Sequence, residues 1–259
     1  MFPSFEILGR EFHLYHILGI IALFVAAGVA SLRAKKFGMD FTELLIGVII
    51  LGAGLLVGGV FVYALVQAPA AWENRHMFSQ APWLFLQRVF GGMVFYGGLF
   101  GVMAAMPLYA KFIKKDIPTI LRVIVPVLPL AHAIMRVGCF FAGCCHGMPH
   151  ETLGVYFPHS AVAPGDIRLI PVQLYETALN LIIFVILWMW SNKPRHHLHL
   201  VAFYGITYAI GRFSLEFLRG DAHRGQVFAL STSQFISILV VVACIILLLI
   251  NKMRSKSAH

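Results

Sequence analysis

Apolar residues run through this chain in blocks too long for the helices or strands of a soluble core. Stretches of 18 or more recur, with polar residues confined to the segments between them. A run of that length spans a hydrocarbon layer about 30 Å thick as a helix. The pattern predicts seven transmembrane helices, at roughly 14–32, 44–67, 91–110, 118–141, 171–190, 200–218 and 233–250. Glycines in the third, fourth and sixth suit close helix packing in lipid. The fold class is therefore all-α, a polytopic membrane bundle. No stretch is left over for a separate soluble domain, so 1–259 reads as a single integral-membrane domain.

Composition agrees. Hydrophobic residues make up 59% of the chain and charged residues 12%, about half the share usual in soluble domains. Mean hydropathy is +0.83. The net charge of +9 takes its meaning from position. Arg33, Lys35, Lys36, Lys111, Lys114, Lys115, Lys193, Arg195, Lys252, Arg254 and Lys256 follow the first, third, fifth and seventh spans. Cytoplasmic loops collect such residues. That places the N-terminus outside and the C-terminus in the cytoplasm. Segments 68–90, 142–170 and 219–232 then face outside, the first, with Trp72 and Trp83, suiting an interfacial or re-entrant segment. No basic stripe with an aromatic platform sits on a soluble segment, which argues against a nucleic-acid partner. Met1 to Glu11 lack the charge pattern of a cleavable signal peptide, so the first span reads as a retained helix.

Charges inside a bilayer are costly and usually functional. In residues 211–221, GRFSLEFLRGD, the residues Arg212, Glu216 and Arg219 fall on one helical face, with Tyr208 one turn earlier. Arginine forks can grip a phosphate; an internal ion pair is the structural alternative. Arg136 lies deep in the fourth span, one turn after His132, and needs a partner such as Glu176 or Glu216. Pro171 begins a helix that carries Gln173, Tyr175 and Glu176 into the bundle. Glu176 there must be paired or protonated.

Cys139, Cys144 and Cys145 cluster beside His146, while Cys244 stands alone in the last span. Such a cluster can bind metal, form a disulfide or supply a nucleophilic thiolate; it can also merely pack small residues against glycine. Its spacing does not match the common CxxC zinc pattern, so no metal set and no cofactor is assigned.

Taken in order, these segments resemble the prolipoprotein diacylglyceryl transferase family. Leu14–Gly19 (LYHILG) falls where that family tends to have a Tyr-Gly pair. Residues 91–101, GGMVFYGGLFG, resemble its GGMSFHGG segment. Residues 136–149 occupy the place of its signature, and PVQLYE and RFSLEFLR complete the order. The resemblance implies a bacterial cytoplasmic (inner) membrane enzyme with its site toward the outer leaflet. It would move a diacylglyceryl group from phosphatidylglycerol to a cysteine thiol of a prolipoprotein, releasing glycerol phosphate. Arg136 and Arg212 then hold the phosphate, and Tyr15, Gln173, Tyr175, Glu176, Tyr208, Glu216 and Arg219 are the substrate contacts. The chain departs from the family at several positions. Tyr96 replaces a proton-accepting His, Cys139 and Ala142 replace two asparagines, and Cys144 replaces a Glu. His146 and Met148 replace Trp and Arg. Tyr96, Cys139, Cys144, Cys145 and His146 are thus candidates for a rewired proton transfer. Two other readings are a lipid transferase with another acceptor, and a non-catalytic lipid-binding or thiol-redox/metal protein built on the cysteine cluster.

Overall fold

The computed structural model describes residues 3–7, 10–193, 196–220, 226–227 and 229–257. Arg195 and Asp221 lie outside them. The chain is an all-α polytopic membrane protein, and the predicted spans are helices. Among the described residues, six helical stretches are long and apolar enough to cross a membrane: Leu14–Phe37, Phe41–Glu73, Tyr96–Ile113, Ile117–Ala142, Val172–Trp190 and Thr232–Arg254. The segment expected at 200–218 is also helical, His197–Glu216. It falls short of the others in apolarity because His197, His199, Arg212 and Glu216 lie along it.

Two compact units are present, Met1–Arg33 with Leu121–His259, and Ala34–Ile120. The Ala34–Ile120 unit is built on α2 (Phe41–Glu73) and α5 (Phe95–Ile113), with short helices α3 (Met77–Gln80) and α4 (Pro82–Phe90) between them. The side chains of Asp40 and Glu43 start α2 by capping each other's backbone amides. Gly54 and Gly58 on α2 meet Gly97 and Gly101 on α5. A Cβ on Gly58 would sit 2.8 Å from the Gly101 Cα, so these backbones touch only because the side chains are absent. At the other end Tyr109, fully buried, donates to the Glu43 carbonyl at 2.9 Å over Gly47.

The other unit contains α1 (Leu14–Ala34), the end of α6 (Ile117–Ile124), α7 (Leu128–Ala142), α8 (Val172–Trp190), α9 (His197–Glu216) and α10 (Thr232–Ser257). The fourth predicted span is interrupted: a 3-10 turn at Val125–Val127, holding Pro126, separates α6 from α7. Proline removes a backbone donor and disfavours the helical conformation before it, which explains the break. Val125, Leu187 and Leu200 form a buried cluster where this turn packs between α8 and α9. Arg33, at the end of α1, donates to both the hydroxyl and the carbonyl of Ser191 (2.6 and 2.9 Å) and stacks on Trp188. This satisfies a carbonyl at the C-terminal end of α8.

Two antiparallel hairpins precede α1 and α10, β1 (Ser4–Ile7) with β2 (Arg10–His13), and β3 (Gln226–Val227) with β4 (Leu230–Ser231). Neither is visible in the hydropathy pattern. The long loop after α7 is tied down by backbone pairing. Gly147 bridges Arg219, and Leu169 pairs with Pro149 and Val155. Phe157, Ala163 and Leu169 bury against Phe140 beneath it.

Candidate active site

The polar residues singled out from the sequence converge in the unit formed by α1 and α7–α10, with Tyr96 as the exception. Glu176, on the second turn of α8, is wholly inaccessible. Its Oε2 lies 2.9 Å from Arg136 Nε on α7, without hydrogen-bond alignment, so that attraction is chiefly Coulombic. Its Oε1 lies 3.5 Å from Arg212 Nε on α9 and accepts from the Tyr208 hydroxyl at 3.3 Å. Arg212 continues the chain of charges. One terminal nitrogen pairs with Glu216, and the other donates to Ser233 on α10 at 3.0 Å. Glu216 also faces Arg219 Nε at 3.9 Å. The result is an alternating series Arg136, Glu176, Arg212, Glu216, Arg219. Three cations and two anions leave an excess of one positive charge.

Arg219 does not reach this series as a further turn of α9. The helix ends at Glu216, and the next residues turn so that Arg219 pairs with Gly147. The backbone amide of Met148 donates to the Leu218 carbonyl at 2.9 Å, and that of Gly147 to Ile170 at 2.8 Å. This small pairing carries the cysteine segment and Arg219 to one place. Gly143 (φ 71) and Cys145 (φ 63) are both left-handed and fold the chain back onto the end of α7. Ser160 caps that end by donating to the Ala142 carbonyl at 2.9 Å.

The sulfurs of Cys139, Cys144 and Cys145 consequently lie within 4.8 Å of one another. None of the four cysteines is in a disulfide. Contact with the Cys139 and Cys144 thiols, and then the Arg219 guanidinium, holds the Cys145 thiol far below its ordinary range. The same thiol contacts, Cys139 foremost, push Cys144 up. Gln173, fully buried, donates to the Cys144 carbonyl at 2.7 Å. The Tyr15 phenol, at the start of α1, is in electrostatic range of the three thiols and Arg136. Its backbone packs against Gly138.

Other expected residues stand apart. The His146 Nδ1 is 3.0 Å from the Gly147 carbonyl oxygen, a local contact. The Tyr175 side chain is half-buried and takes no part in the ion series. Tyr96 lies in the Ala34–Ile120 unit, on the first turn of α5, and is exposed. Sequence reasoning missed Ser233, Asn180 and Tyr204. Asn180 is fully buried one turn after Glu176 and donates to its carbonyl at 2.9 Å. Tyr204, one turn before Tyr208, contacts His132 Nδ1 at 3.1 Å. That makes His132 a hydrogen-bonded packing residue. Spacing of one helical turn was the available signal for Asn180 and Tyr204; none pointed to Ser233.

One turn along α10 from Ser233, an apolar groove of about 250 Å³ opens between α9 and α10. Ala209, Phe213, Ile238 and Val242 are among its walls.

The sequence profile described as prolipoprotein diacylglyceryl transferase matches residues 3–250. The chain belongs to the prolipoprotein diacylglyceryl transferase family. It is 33% identical to the phosphatidylglycerol–prolipoprotein diacylglyceryl transferase of Clostridium tetani, covering 97% of this chain and 98% of that one. A second such enzyme, from Clostridium perfringens, is 30% identical over 97% of this chain and 95% of its own length. One from Acinetobacter baumannii is 32% identical over 84% and 79%. The match reaches every membrane-capable helix and includes the segment that carries Cys139, Cys144 and Cys145.

Proposed function

We propose that this protein transfers a diacylglyceryl group from phosphatidylglycerol to a prolipoprotein cysteine, working as a single membrane domain of the bacterial cytoplasmic membrane. The observation that carries the reading is the buried ion series, which lies on the family's motif segments and sets three guanidinium groups against two carboxylates. A phosphodiester, with one negative charge, suits such a cationic cradle. Arg136, Arg212 and Arg219 would hold the phosphate, and Glu176 and Glu216 would keep the guanidinium groups oriented. In a water-poor site fixed charges of this kind stabilise a departing phosphate far better than in water. The apolar groove between α9 and α10, one turn along α10 from Ser233, suits an acyl chain attached to the same headgroup.

The chemistry is alkyl transfer. The acceptor sulfur bonds to the terminal glyceryl carbon, the carbon–oxygen bond to phosphate breaks, and its electron pair stays on phosphate. The thiol proton must leave as well. Tyr15, Gln173, Tyr175 and Tyr208 would line the lipid and peptide path. We assign the site to the outer leaflet because the basic residues concentrate in alternate loops.

The test is a defined assay of purified protein, phosphatidylglycerol and a peptide carrying a lipobox cysteine, read by mass spectrometry. The diacylglyceryl thioether should form, and Arg212→Ala should lose it while remaining folded. Full turnover in Arg212→Ala and Arg136→Ala alike would remove the phosphate cradle.

A further inference from the structure

Thiol alkylation needs a thiolate, and Tyr96 is a poor proton acceptor at neutral pH because a phenol ordinarily titrates near pH 10. The ion series lies beside a group able to supply the thiolate by another route. Cys139 lies on the last turn of α7, and Cys144 and Cys145 return to it through two left-handed residues, so that three sulfurs face one small volume. A zinc ion bound tetrahedrally with zinc–sulfur distances of about 2.3 Å places its sulfurs about 3.8 Å apart. From separations within 4.8 Å, closure asks for movements of about 1 Å or less. Among the described residues no carboxylate or imidazole atom joins the three sulfurs. The protein thus offers three soft ligands and leaves the fourth position open, the arrangement of a reactive zinc site as against a closed structural one.

Charge supports the same assignment. Three thiolates around a divalent cation carry one net negative charge. Arg136 interacts with Cys139 and Cys145, and Arg219 with Cys145, so two guanidinium groups adjoin the cluster. The Gln173 contact to the Cys144 carbonyl fixes the loop that presents the sulfurs.

We propose that Cys139, Cys144 and Cys145 form a trithiolate site for a zinc-class divalent cation whose open fourth position takes the acceptor thiol. The second half rests on the transferase reading above. A coordinated thiol is deprotonated outright, and its proton leaves with the water or hydroxide it displaces. The metal-bound sulfur then forms the bond to the glyceryl carbon as the phosphate departs with the carbon–oxygen electron pair. The thioether product is a weak ligand and leaves the ion. No oxidation state changes.

Cobalt(II) added to the reduced, detergent-purified full chain is the probe. One ion per chain should bind with a sulfur-to-cobalt charge-transfer band, and zinc should displace it. Cys139→Ser and Cys145→Ser should lose the band, and Cys244→Ser should keep it. In the unsubstituted protein, zinc should shield three of the four thiols from maleimide, a readout that does not depend on variants folding. No band and no shielding would overturn the site, whether or not lipid transfer occurs. A lipobox peptide should shift the cobalt band, and its serine analogue should not. Cobalt bound with a band that the peptide thiol leaves unmoved would overturn the acceptor role. Failure of the transferase reading looks different: the band responds to the thiol, but no thioether forms with phosphatidylglycerol.

Discussion

Glu176 is the residue on which the site turns. It is fully buried, and two guanidinium groups and a phenol address its two oxygens. Replacing it by Gln keeps the shape and removes the charge, leaving Arg136 and Arg212 without the anion between them. Breaking a buried pair by losing one partner typically costs roughly 3–5 kcal/mol. Glu176→Gln should therefore lower the thermal midpoint in detergent markedly. An unchanged midpoint would show that the ion series contributes nothing to the folded state. Arg212 uses separate nitrogens for Glu176, Glu216 and Ser233. A lysine has a single nitrogen and cannot reproduce that fork. Arg212→Lys should thus lose lipid transfer roughly tenfold or more, a barrier increase of about 1.4 kcal/mol per factor of ten. Activity close to that of the unsubstituted protein would mean that only the charge matters there.

Among the elements, α2 and α5 show how the bundle packs without a hydrophobic driving force. Lipid is as apolar as leucine, so close van der Waals contact has to hold helices together. Gly54 and Gly58 against Gly97 and Gly101 provide it. Overpacking a tight contact typically costs about 1–3 kcal/mol. Gly101→Leu should separate the pair and destabilise the Ala34–Ile120 unit by at least that amount, measured as the unfolding midpoint in detergent. A neutral effect would count against backbone contact at this crossing. α9 illustrates the opposite case. Its polar residues weaken its apolar character, yet it is helical and lies against α8 and α10, where Glu176 and Ser233 meet Arg212.

For the whole molecule the assignment to test is orientation. Eleven of the 20 basic residues lie at the ends of alternate spans or in the segments that follow them, and the positive-inside rule turns that into a topology. A fluorescent protein fused after Ser257 should fold and fluoresce in the cytoplasm. Alkaline phosphatase inserted near Glu151 should be active on the outer side. The reverse pair of results would put the ion series at the inner leaflet and remove the outer-leaflet assignment.

Much of this architecture was legible in the sequence because lipid imposes a local condition: each crossing segment must be apolar over its own length. The runs beginning near Leu14, Leu44 and Ser233 satisfied it independently of the rest of the chain, and their helices formed there. The ordered motifs likewise named Arg136, Glu176, Arg212 and Glu216. The tertiary structure decided which charges meet, because Arg136, Glu176 and Arg212 come from three different helices and a pairing between helices leaves no trace in spacing. It also decided the fate of the cysteines. Their spacing matches no familiar ligand pattern, and they converge only because Gly143 and Cys145 turn left-handed and Gly147 pairs with Arg219. That pairing joins segments more than 70 residues apart, a contact that no local pattern of apolar and polar positions encodes.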